Sequence, residues 1–206
     1  MEIIDISQMI RPGIPVWPGD QKYLHRRTMC MKDGHSCNVS AVTMTAHLGT
    51  HVDAPAHCND DGLDMASVML HPYIGPARVI SMDAQREITA GDLKDRAWQG
   101  VERVLFKTRA SNSPDDRFER DYVSIAEDAA RFLCEKGILI IGTDAPSVEA
   151  FRSSDMTIHK VLMDRGVAIL EGIRLNHVAP GDYELISLPL SLAGVEGSPV
   201  RAILRR

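Results

Sequence analysis

The stretch that decides the fold is Ala46-His47-Leu48-Gly49-Thr50-His51-Val52-Asp53-Ala54-Pro55-Ala56-His57. Four of its residues carry imidazole or carboxylate groups, the ligands that zinc and similar divalent ions prefer: His47, His51, Asp53 and His57. All four stand at odd positions, so an extended backbone would point their side chains to one side. This spacing indicates a metal or catalytic site.

The backbone of this stretch must bend before the four side chains can share one site. Fully extended, His47 and His57 would lie roughly 33 Å apart at about 3.3 Å per residue, too far for one metal ion. Gly49 and Pro55 permit a bend, and both disfavour a helix. We therefore predict a strand that ends near His47 and a following segment that wraps around a metal centre.

Length and composition are those of a globular protein with one core. The 206 residues suffice for a single domain over 1–206, and 44% hydrophobic and 25% charged residues are ordinary values. The net charge of −5 argues against a nucleic-acid partner. Residues 1–5 do not resemble a signal peptide, and the longest aliphatic run, 138–141, is too short to cross a bilayer. We expect a cytoplasmic protein with no membrane partner.

The four cysteines are scattered without C-x-x-C spacing: Cys30, Cys37, Cys58 and Cys134. In a chain without an export signal, such cysteines are expected to be free thiols. Cys58 follows His57 and could approach the site, but a metal supplies a better nucleophile than a thiol does.

Local patterns predict most of the secondary structure. Strands are predicted at 2–6, 23–31, 37–46, 77–82, 101–108 and 138–141, and helices at 89–97, from Ser124 to Gly137 and at 158–163. Thr89 with Asp92, and Ser124 with Glu127, have the spacing of capping boxes. The polar segment 109–118 is either a pocket edge or a solvated linker, and we favour the linker. Asp144 follows a buried strand, where we expect its carboxylate to fix a loop.

A second informative place is the aliphatic run 167–173, which Glu171 interrupts. Burying an unpaired carboxylate costs several kcal/mol, so Glu171 needs either an arginine, such as Arg165 or Arg174, or a metal. His159 lies among apolar residues of a predicted helix, where a lone histidine is more often structural than a ligand. The remaining histidines lack ligand-like neighbours and are expected at the surface or in structural roles: His25, His35, His71 and His177.

Residues 47–57 resemble the H-x-G-T-H-x-D-x-P-x-H signature of the cyclase-like metal-dependent hydrolases, and within them the chain most resembles the bacterial kynurenine formamidases (arylformamidases). Further similar segments run from end to end: 5–7, 17–20, 73–76, 142–147, 169–172, 181–186, 188–190 and 198–202. The eleven-residue signature is specific for the superfamily and much less so for one substrate.

The resemblance implies an α/β fold, a single-domain β/β/α architecture with a central mixed barrel-like sheet flanked by helices, assembled as a homodimer or tetramer. It implies five metal ligands: His47, His51, Asp53, His159 and Glu171. Five ligands are too many for one catalytic zinc. Two divalent ions, zinc or alternatively manganese, about 3.5–4 Å apart and sharing Asp53, would account for that number.

The resemblance also assigns roles beyond the metal. His57 corresponds to the proton shuttle. Trp17 stands between prolines, where it could cap the core or form a flat wall for an aromatic ligand, and the resemblance favours substrate contact.

The activity that the resemblance implies is hydrolysis of N-formyl-L-kynurenine to L-kynurenine and formate, a step of tryptophan degradation, by metal-activated hydroxide. At 157–160 the sequence T-I-H-K departs from the paired histidines or histidine–arginine that many kynurenine formamidases carry there. A related amidase or lactonase acting on another aryl or cyclic amide, such as isatin, is therefore the alternative. A non-catalytic metal-binding scaffold is a third possibility, which His57 disfavours because a scaffold needs no free base beside its metal.

Overall fold

The computed structural model describes residues 1–114 and 116–206, which form thirteen strands and three α-helices. The strands are β1 (Ile3–Asp5), β2 (Leu24–Met29), β3 (Val39–Thr43), β4 (His51–Asp53), β5 (Ile74–Ser81), β6 (Glu87–Ile88), β7 (Arg103–Lys107), β8 (Ser124–Ile125), β9 (Ile140–Thr143), β10 (Ala168–Glu171), β11 (Gly181–Ile186), β12 (Gly197–Pro199) and β13 (Ile203–Arg205). The helices are α1 (Ala90–Leu93), α2 (Glu127–Glu135) and α3 (Thr157–Met163). None of the described helices is long and apolar enough to span a membrane.

Nine of these strands form one mixed sheet in the order β1-β13-β11-β5-β7-β9-β10-β4-β12. Its centre, β5-β7-β9-β10, is parallel, and the strands on both sides of that centre pair antiparallel. The observed mixed sheet with flanking helices confirms the predicted α/β class.

Alternating side chains give the sheet two apolar faces. In β7, Val104 and Phe106 face a core that includes Leu133 of α2 and Leu162 of α3, whereas Leu105 faces a second core on the opposite side. This two-residue period is what a strand covered on both faces requires.

The same alternation determines which side chains of β4 and β10 reach the helix side of the sheet. Val52 and Leu170 lie in the second core, away from the helices. His51, Asp53 and Glu171 therefore point toward the helices, and the antiparallel register sets Glu171 opposite His51. Three predicted site residues are thus brought together by strand pairing alone.

The path around the histidine motif differs in detail from the prediction. The strand expected to end near His47 ends at Thr43, and a new strand begins at His51. Between them the chain turns through Gly49, whose φ of +64° lies in the left-handed region that glycine adopts most readily. The bend therefore lies before the second ligand of the motif, so His51 and Asp53 belong to the main sheet.

The predicted start of the longest helix is wrong. Ser124 does not cap α2, which follows Ala126 without a side-chain cap. Instead, Ser124 donates its backbone N–H to Arg86 O and pairs with β6. Glu127, the expected capping partner, accepts hydrogen bonds from Arg131 one turn later. The strand pairing satisfies the backbone N–H of Ser124 that the Glu127 side chain would have satisfied in a capping box.

The other predicted capping box is present, and its helix is shorter than expected. Thr89 and Asp92 make both reciprocal contacts at the start of α1. The helix ends at Leu93, and Trp98 packs behind it with its ring N–H donating to Leu93 O.

Strands β2 and β3 form a separate hairpin outside the main sheet. Every residue of the two strands is exposed except Met29, which is half-buried. The exposed side chains include Leu24 and Val42, at 60% and 57%. Among the described strands, β2 and β3 pair only with each other, and a lone two-stranded hairpin is marginally stable in water.

Candidate metal centre and active site

The five residues predicted as metal ligands lie around one buried centre. His47 Nδ1 lies 2.9 Å from Asp53 Oδ1, and His51 Nε2 lies 3.4 Å from the same oxygen. His159 Nε2, which α3 presents to the sheet, lies 3.6 Å from Asp53 Oδ2 and 3.4 Å from Glu171 Oε1. A loop, two strands and a helix, distant in sequence, therefore converge here.

Asp53 stands between two groups that could each hold a metal ion. The first group is His47, His51 and Asp53, and the second is Asp53, His159 and Glu171. Within each group the potential ligand atoms lie within 4.8 Å of one another. Because the two Asp53 oxygens face different groups, this carboxylate has the position of a bridging ligand.

Several buried polar atoms at the centre have no hydrogen-bond partner in the described part of the chain, which favours a bound cation over a hydrogen-bonded network. His47 Nε2 and both carboxylate oxygens of Asp53 are buried, and none has a hydrogen-bond partner among the described residues. Buried polar groups are rarely left in this state. Their close approach without hydrogen-bond geometry is what ligand atoms arranged around a common ion would show.

The electrostatics of the centre also demand positive charge. Burial lowers the pKa of His47, but the neighbouring Asp53 and Glu171 carboxylates outweigh it and raise that pKa to about 9. Burial likewise opposes protonation of His159, yet Glu149 and Glu171 raise its pKa to about 10. Burial favours a neutral Asp53, but His47 and His51 hold its pKa well below its usual range. The carboxylates thus attract protons wherever no metal ion neutralises them.

Two of the histidines are oriented by contacts on their outer nitrogens. The Nδ1 atom of His51 lies 3.0 Å from Gly49 O, and that of His159 lies 3.5 Å from Glu149 Oε1. In both rings Nε2 is thereby left facing the centre. Such contacts fix the tautomer and orientation of metal-binding histidines. Glu149 was not found in the sequence analysis, because nothing local marks it as a partner of a residue ten positions away.

Glycines allow the backbone to approach closely at two points of the site. A Cβ on Gly172, directly after Glu171, would lie 2.4 Å from Gly49 O, where the histidine loop crosses. Thr50 secures this crossing by donating its hydroxyl to Gly172 O at 2.7 Å. A Cβ on Gly197 would lie 2.9 Å from His47 Cε1, so β12 leaves room for the imidazole ring.

His57 lies beside the metal-binding groups without belonging to either. Its ring centroid is 4.1 Å from that of His47 and 5.5 Å from that of His159. Burial lowers its pKa, and the neighbouring His47 and His159 act in the same direction against Asp53 and Glu171. A partly buried imidazole held neutral in this way can accept a proton near neutral pH.

The centre opens into a cavity of about 480 Å³ that has an aromatic wall. Trp17 lines this cavity and contacts Phe118 edge-to-face at 5.3 Å and Phe151 at 5.2 Å between ring centroids. Trp17 also packs against the buried cluster of Ala110, Tyr122 and Ala145, so it both covers a core edge and lines the cavity, and its contact with a substrate stays a prediction.

The preference for a solvated linker over segment 109–118 is wrong. Ala110, Ser113, Pro114, Arg117 and Phe118 line the cavity, so the segment forms part of its wall. Residue 115 lies outside the described residues. Polar composition suggested a linker because the inward-facing residues are too few and too irregularly spaced to show a period.

Asp144 holds this wall in place. Its carboxylate accepts four hydrogen bonds, from the backbone N–H and the hydroxyl of both Thr108 and Ser111. Burial raises its pKa, and these bonds oppose the shift. The expectation that this carboxylate fixes a loop is confirmed.

Glu171 is surrounded by histidines of the centre. Its two oxygens lie 3.3 Å from His51 Nε2 and 3.4 Å from His159 Nε2, and Val148 N–H donates to Oε1 at 2.8 Å. These contacts favour the metal interpretation over a structural arginine pair. Glu196, also missed in the sequence analysis, lies 3.3 Å from His47 Nε2 at the half-exposed rim.

The expectations for the cysteines and for the four remaining histidines are confirmed. The cysteines are free thiols, and His25, His35, His71 and His177 are exposed. Cys58 contacts Met163, and burial raises the pKa of its thiol, which does not favour a nucleophile.

Comparison with known proteins gives the same picture. Residues 4–150 match the Cyclase family. The kynurenine formamidase of Bacillus cereus is 41% identical over 204 residues, which cover 99% of this chain and 97% of that protein.

Solved structures share the fold. One described as a potential metal-dependent hydrolase with cyclase activity has a TM-score of 0.85 and 32% identity, covering 98% of this chain and 96% of that one. An isatin hydrolase bound to the product analogue thioisatinate has a TM-score of 0.85 at 21% identity, covering 98% of this chain and 91% of its own, which shows a common fold. Together with the cluster of histidines and carboxylates, these similarities indicate a divalent metal.

Proposed function

Because the chain belongs to the Cyclase family of metal-dependent hydrolases, we propose that it hydrolyses N-formyl-L-kynurenine to L-kynurenine and formate. The observation that carries this proposal is the 41% identity with a kynurenine formamidase over almost the whole of both chains. The aromatic wall beside the centre supports it, since the substrate is an ortho-substituted aromatic ring that carries a formamide.

The proposed centre holds two divalent ions, most simply zinc, with manganese as the alternative. His47, His51 and Asp53 would hold one ion, and Asp53, His159 and Glu171 the other. Ions bound there supply Lewis acidity and lower the pKa of water so that it becomes a nucleophile near neutral pH. The neutral nitrogen and carboxylate ligands suit either metal.

The residues of the chain itself perform binding and proton transfer. Trp17, with Phe118 behind it, contacts the aromatic ring of the substrate and places the formyl group toward the centre. His57 accepts a proton from the attacking water and returns it to the aniline nitrogen as the C–N bond breaks. Its position beside both metal-binding groups supports this role.

The test is a comparison of substrates with protein of known metal content. We expect kcat/KM to be highest for N-formyl-L-kynurenine, lower for N-formylanthranilate and lowest for isatin. A clear preference for isatin would contradict the proposal and favour the alternative cyclic amide hydrolase. Metal without turnover of any of the three would instead favour a scaffold.

We also propose that the chain forms a homodimer through the exposed β2–β3 hairpin. Residues 21–45 contain four Lys or Arg and one Asp, whereas the rest of the chain carries 19 basic and 27 acidic residues. A basic, partly apolar hairpin therefore complements the acidic body of a second copy.

We propose the cytoplasm as the location of the protein, because the four free cysteines of the chain are compatible with a reducing compartment.

Light scattering tests the assembly. We expect twice the 22.7 kDa of one chain for the wild type and for the control Met69→Glu, an exposed position outside the hairpin. Val42→Glu should give the mass of a single chain. A monomeric wild type would contradict the proposal, and a mass of four chains would favour the tetramer.

A further inference from the structure

Tyr122 carries a buried hydroxyl that makes no well-formed hydrogen bond with the described residues. The residue is 6% exposed, and its Oη atom has no hydrogen-bond partner among the described residues. It lies just before β8, in an apolar cluster with Ala110 and Ala145. A phenylalanine would satisfy the packing, so the hydroxyl costs stability unless something outside the fold accepts its hydrogen bond.

Tyr122 lines the cavity that lies between the aromatic wall and the metal centre. Its side chain lines the same cavity as Trp17 and Glu171. Trp17 and Phe151 pack against its cluster, and the Glu171 and Glu149 carboxylates are close enough to act on its hydroxyl electrostatically. Burial, and then these two carboxylates, raise the pKa of Tyr122 well above its ordinary value. The phenol therefore keeps its proton at neutral pH and can serve as a donor.

Ser147 is the protein group nearest in kind to an acceptor. Its hydroxyl lies beside that of Tyr122, and its Oγ accepts one hydrogen bond, from Glu149 N–H at 3.1 Å, so that it could accept a second from Tyr122. The other acceptors that can enter this cavity belong to a bound ligand. A substrate whose aromatic ring contacts Trp17 brings its formyl oxygen into the cavity that Tyr122 lines.

We propose that Tyr122 is a further catalytic residue, which donates a hydrogen bond from Oη to the formyl oxygen of the bound substrate. The proposal rests on the hydrolysis of a formanilide proposed above. As water adds to the formyl carbon, an electron pair of the C=O bond moves onto this oxygen, and Tyr122 stabilises the developing negative charge while keeping its own proton. When the C–N bond breaks, the pair returns to form the C=O bond of formate.

Tyr122→Phe tests the proposal, because it removes the oxygen and keeps the ring. We expect kcat to fall on the order of 100-fold for both N-formyl-L-kynurenine and formanilide, the usual size for loss of one such donor. KM and metal content should change little, and the melting temperature of the substrate-free protein should stay the same or rise, because the variant loses a buried hydroxyl without a well-formed hydrogen bond. The matched control is Tyr183→Phe, which removes a buried phenol oxygen bonded to Ala179 O away from the cavity and should leave kcat unchanged.

A double-mutant cycle separates action on the substrate from action through Ser147. Tyr122→Phe should lower kcat by the same factor in a Ser147→Ala background as in the wild type. No further loss in that background would overturn the proposal, since the hydroxyl would then act by holding Ser147.

Other results would also overturn it. These are an unchanged kcat, a loss confined to N-formyl-L-kynurenine (which would assign the hydroxyl to the ketone of that substrate), or a loss that follows a loss of bound metal. Formanilide turnover keeps the test independent of the physiological substrate. A wild type that cleaves formanilide but not N-formyl-L-kynurenine would contradict the proposed function. The role of Tyr122 would then still be decided by the kcat of Tyr122→Phe with formanilide.

Discussion

The metal centre and the cavity mouth, by which we mean the loop residues Trp17 and Phe118 of the aromatic wall, are built in different ways. The centre takes four of its five residues from β4, β10 and α3, and these four, His51, Asp53, His159 and Glu171, are each at most 3% exposed. The mouth is made of loops, and its residues Trp17 and Phe118 are only partly buried. Under the proposed function the sheet residues carry out the reaction and the loop residues select the substrate, so changes in the two regions should have separable effects.

Loss of the shared carboxylate should have the largest effect. Asp53→Asn removes the charge that both metal-binding groups share, and we expect it to lose both ions and at least about 10³-fold in kcat/KM. Elemental analysis and steady-state kinetics measure the two losses. The control Glu196→Gln changes a half-exposed carboxylate near His47 and should retain two ions per chain. Full metal content in Asp53→Asn would show that Asp53 is not the bridge.

Loss of the proton shuttle should come next and should leave the centre itself intact. We expect His57→Ala to keep its metal while kcat falls roughly 10²- to 10⁴-fold, the range for a general acid–base residue. The basic limb of the pH–rate profile tests whether the remaining activity depends on hydroxide. Near-normal turnover in this variant would contradict the role assigned to His57.

A change at the mouth should affect substrate discrimination and spare the chemistry. We expect Trp17→Ala to lower kcat/KM for N-formyl-L-kynurenine about 10-fold, mainly through KM, because an aromatic contact is worth about 1 kcal/mol beyond its buried area. Metal content should not change. Trp98→Phe, at a tryptophan that packs on Phe132 away from the cavity, should leave both kinetic constants near wild type. A loss of metal in Trp17→Ala would mean that the two regions are not separable.

The smallest effect concerns the stability of the centre without metal. His47 and His159 have pKa values of about 9 and 10 in the folded chain, above the ordinary 6.5 of the unfolded one. Their contribution to stability is thus complete below about pH 6.5 and is lost as the pH rises through 9 to 10.

We therefore expect the melting temperature of the metal-free protein to fall by several degrees between pH 7 and pH 10. Differential scanning calorimetry after chelation measures this change. His47→Gln combined with His159→Gln should flatten the dependence. A melting temperature that rises with pH in the metal-free wild type would contradict the pKa assignment.

The sequence predicted the centre better than the mouth, and strand geometry explains why. His51 and Asp53 are two residues apart on a strand, and Glu171 interrupts an apolar run. Local patterns therefore reveal these polar residues within otherwise apolar strands. The pairing of β4 with β10 then follows from burial on both faces. The register that sets Glu171 opposite His51 was not predictable, because it depends on contacts made across more than a hundred residues.

Residues that act through tertiary contacts were missed. Glu149 orients His159, and Tyr122 reaches the cavity from a loop, yet neither has a neighbour in sequence that reveals its role. At Ser124 the local capping signal was misleading, because pairing of β8 with β6 satisfies the same backbone groups. Segment 109–118 became a wall because Asp144, from the end of another strand, binds Thr108 and Ser111.

The central claim is that Asp53 bridges two ions on the helix side of the sheet. Anomalous diffraction at the zinc edge, from crystals of zinc-loaded protein, tests it most directly. We expect two peaks about 3.5–4 Å apart, one beside His47 and His51 and the other beside His159 and Glu171, with Asp53 between them. A single peak, or peaks away from Asp53, would contradict it.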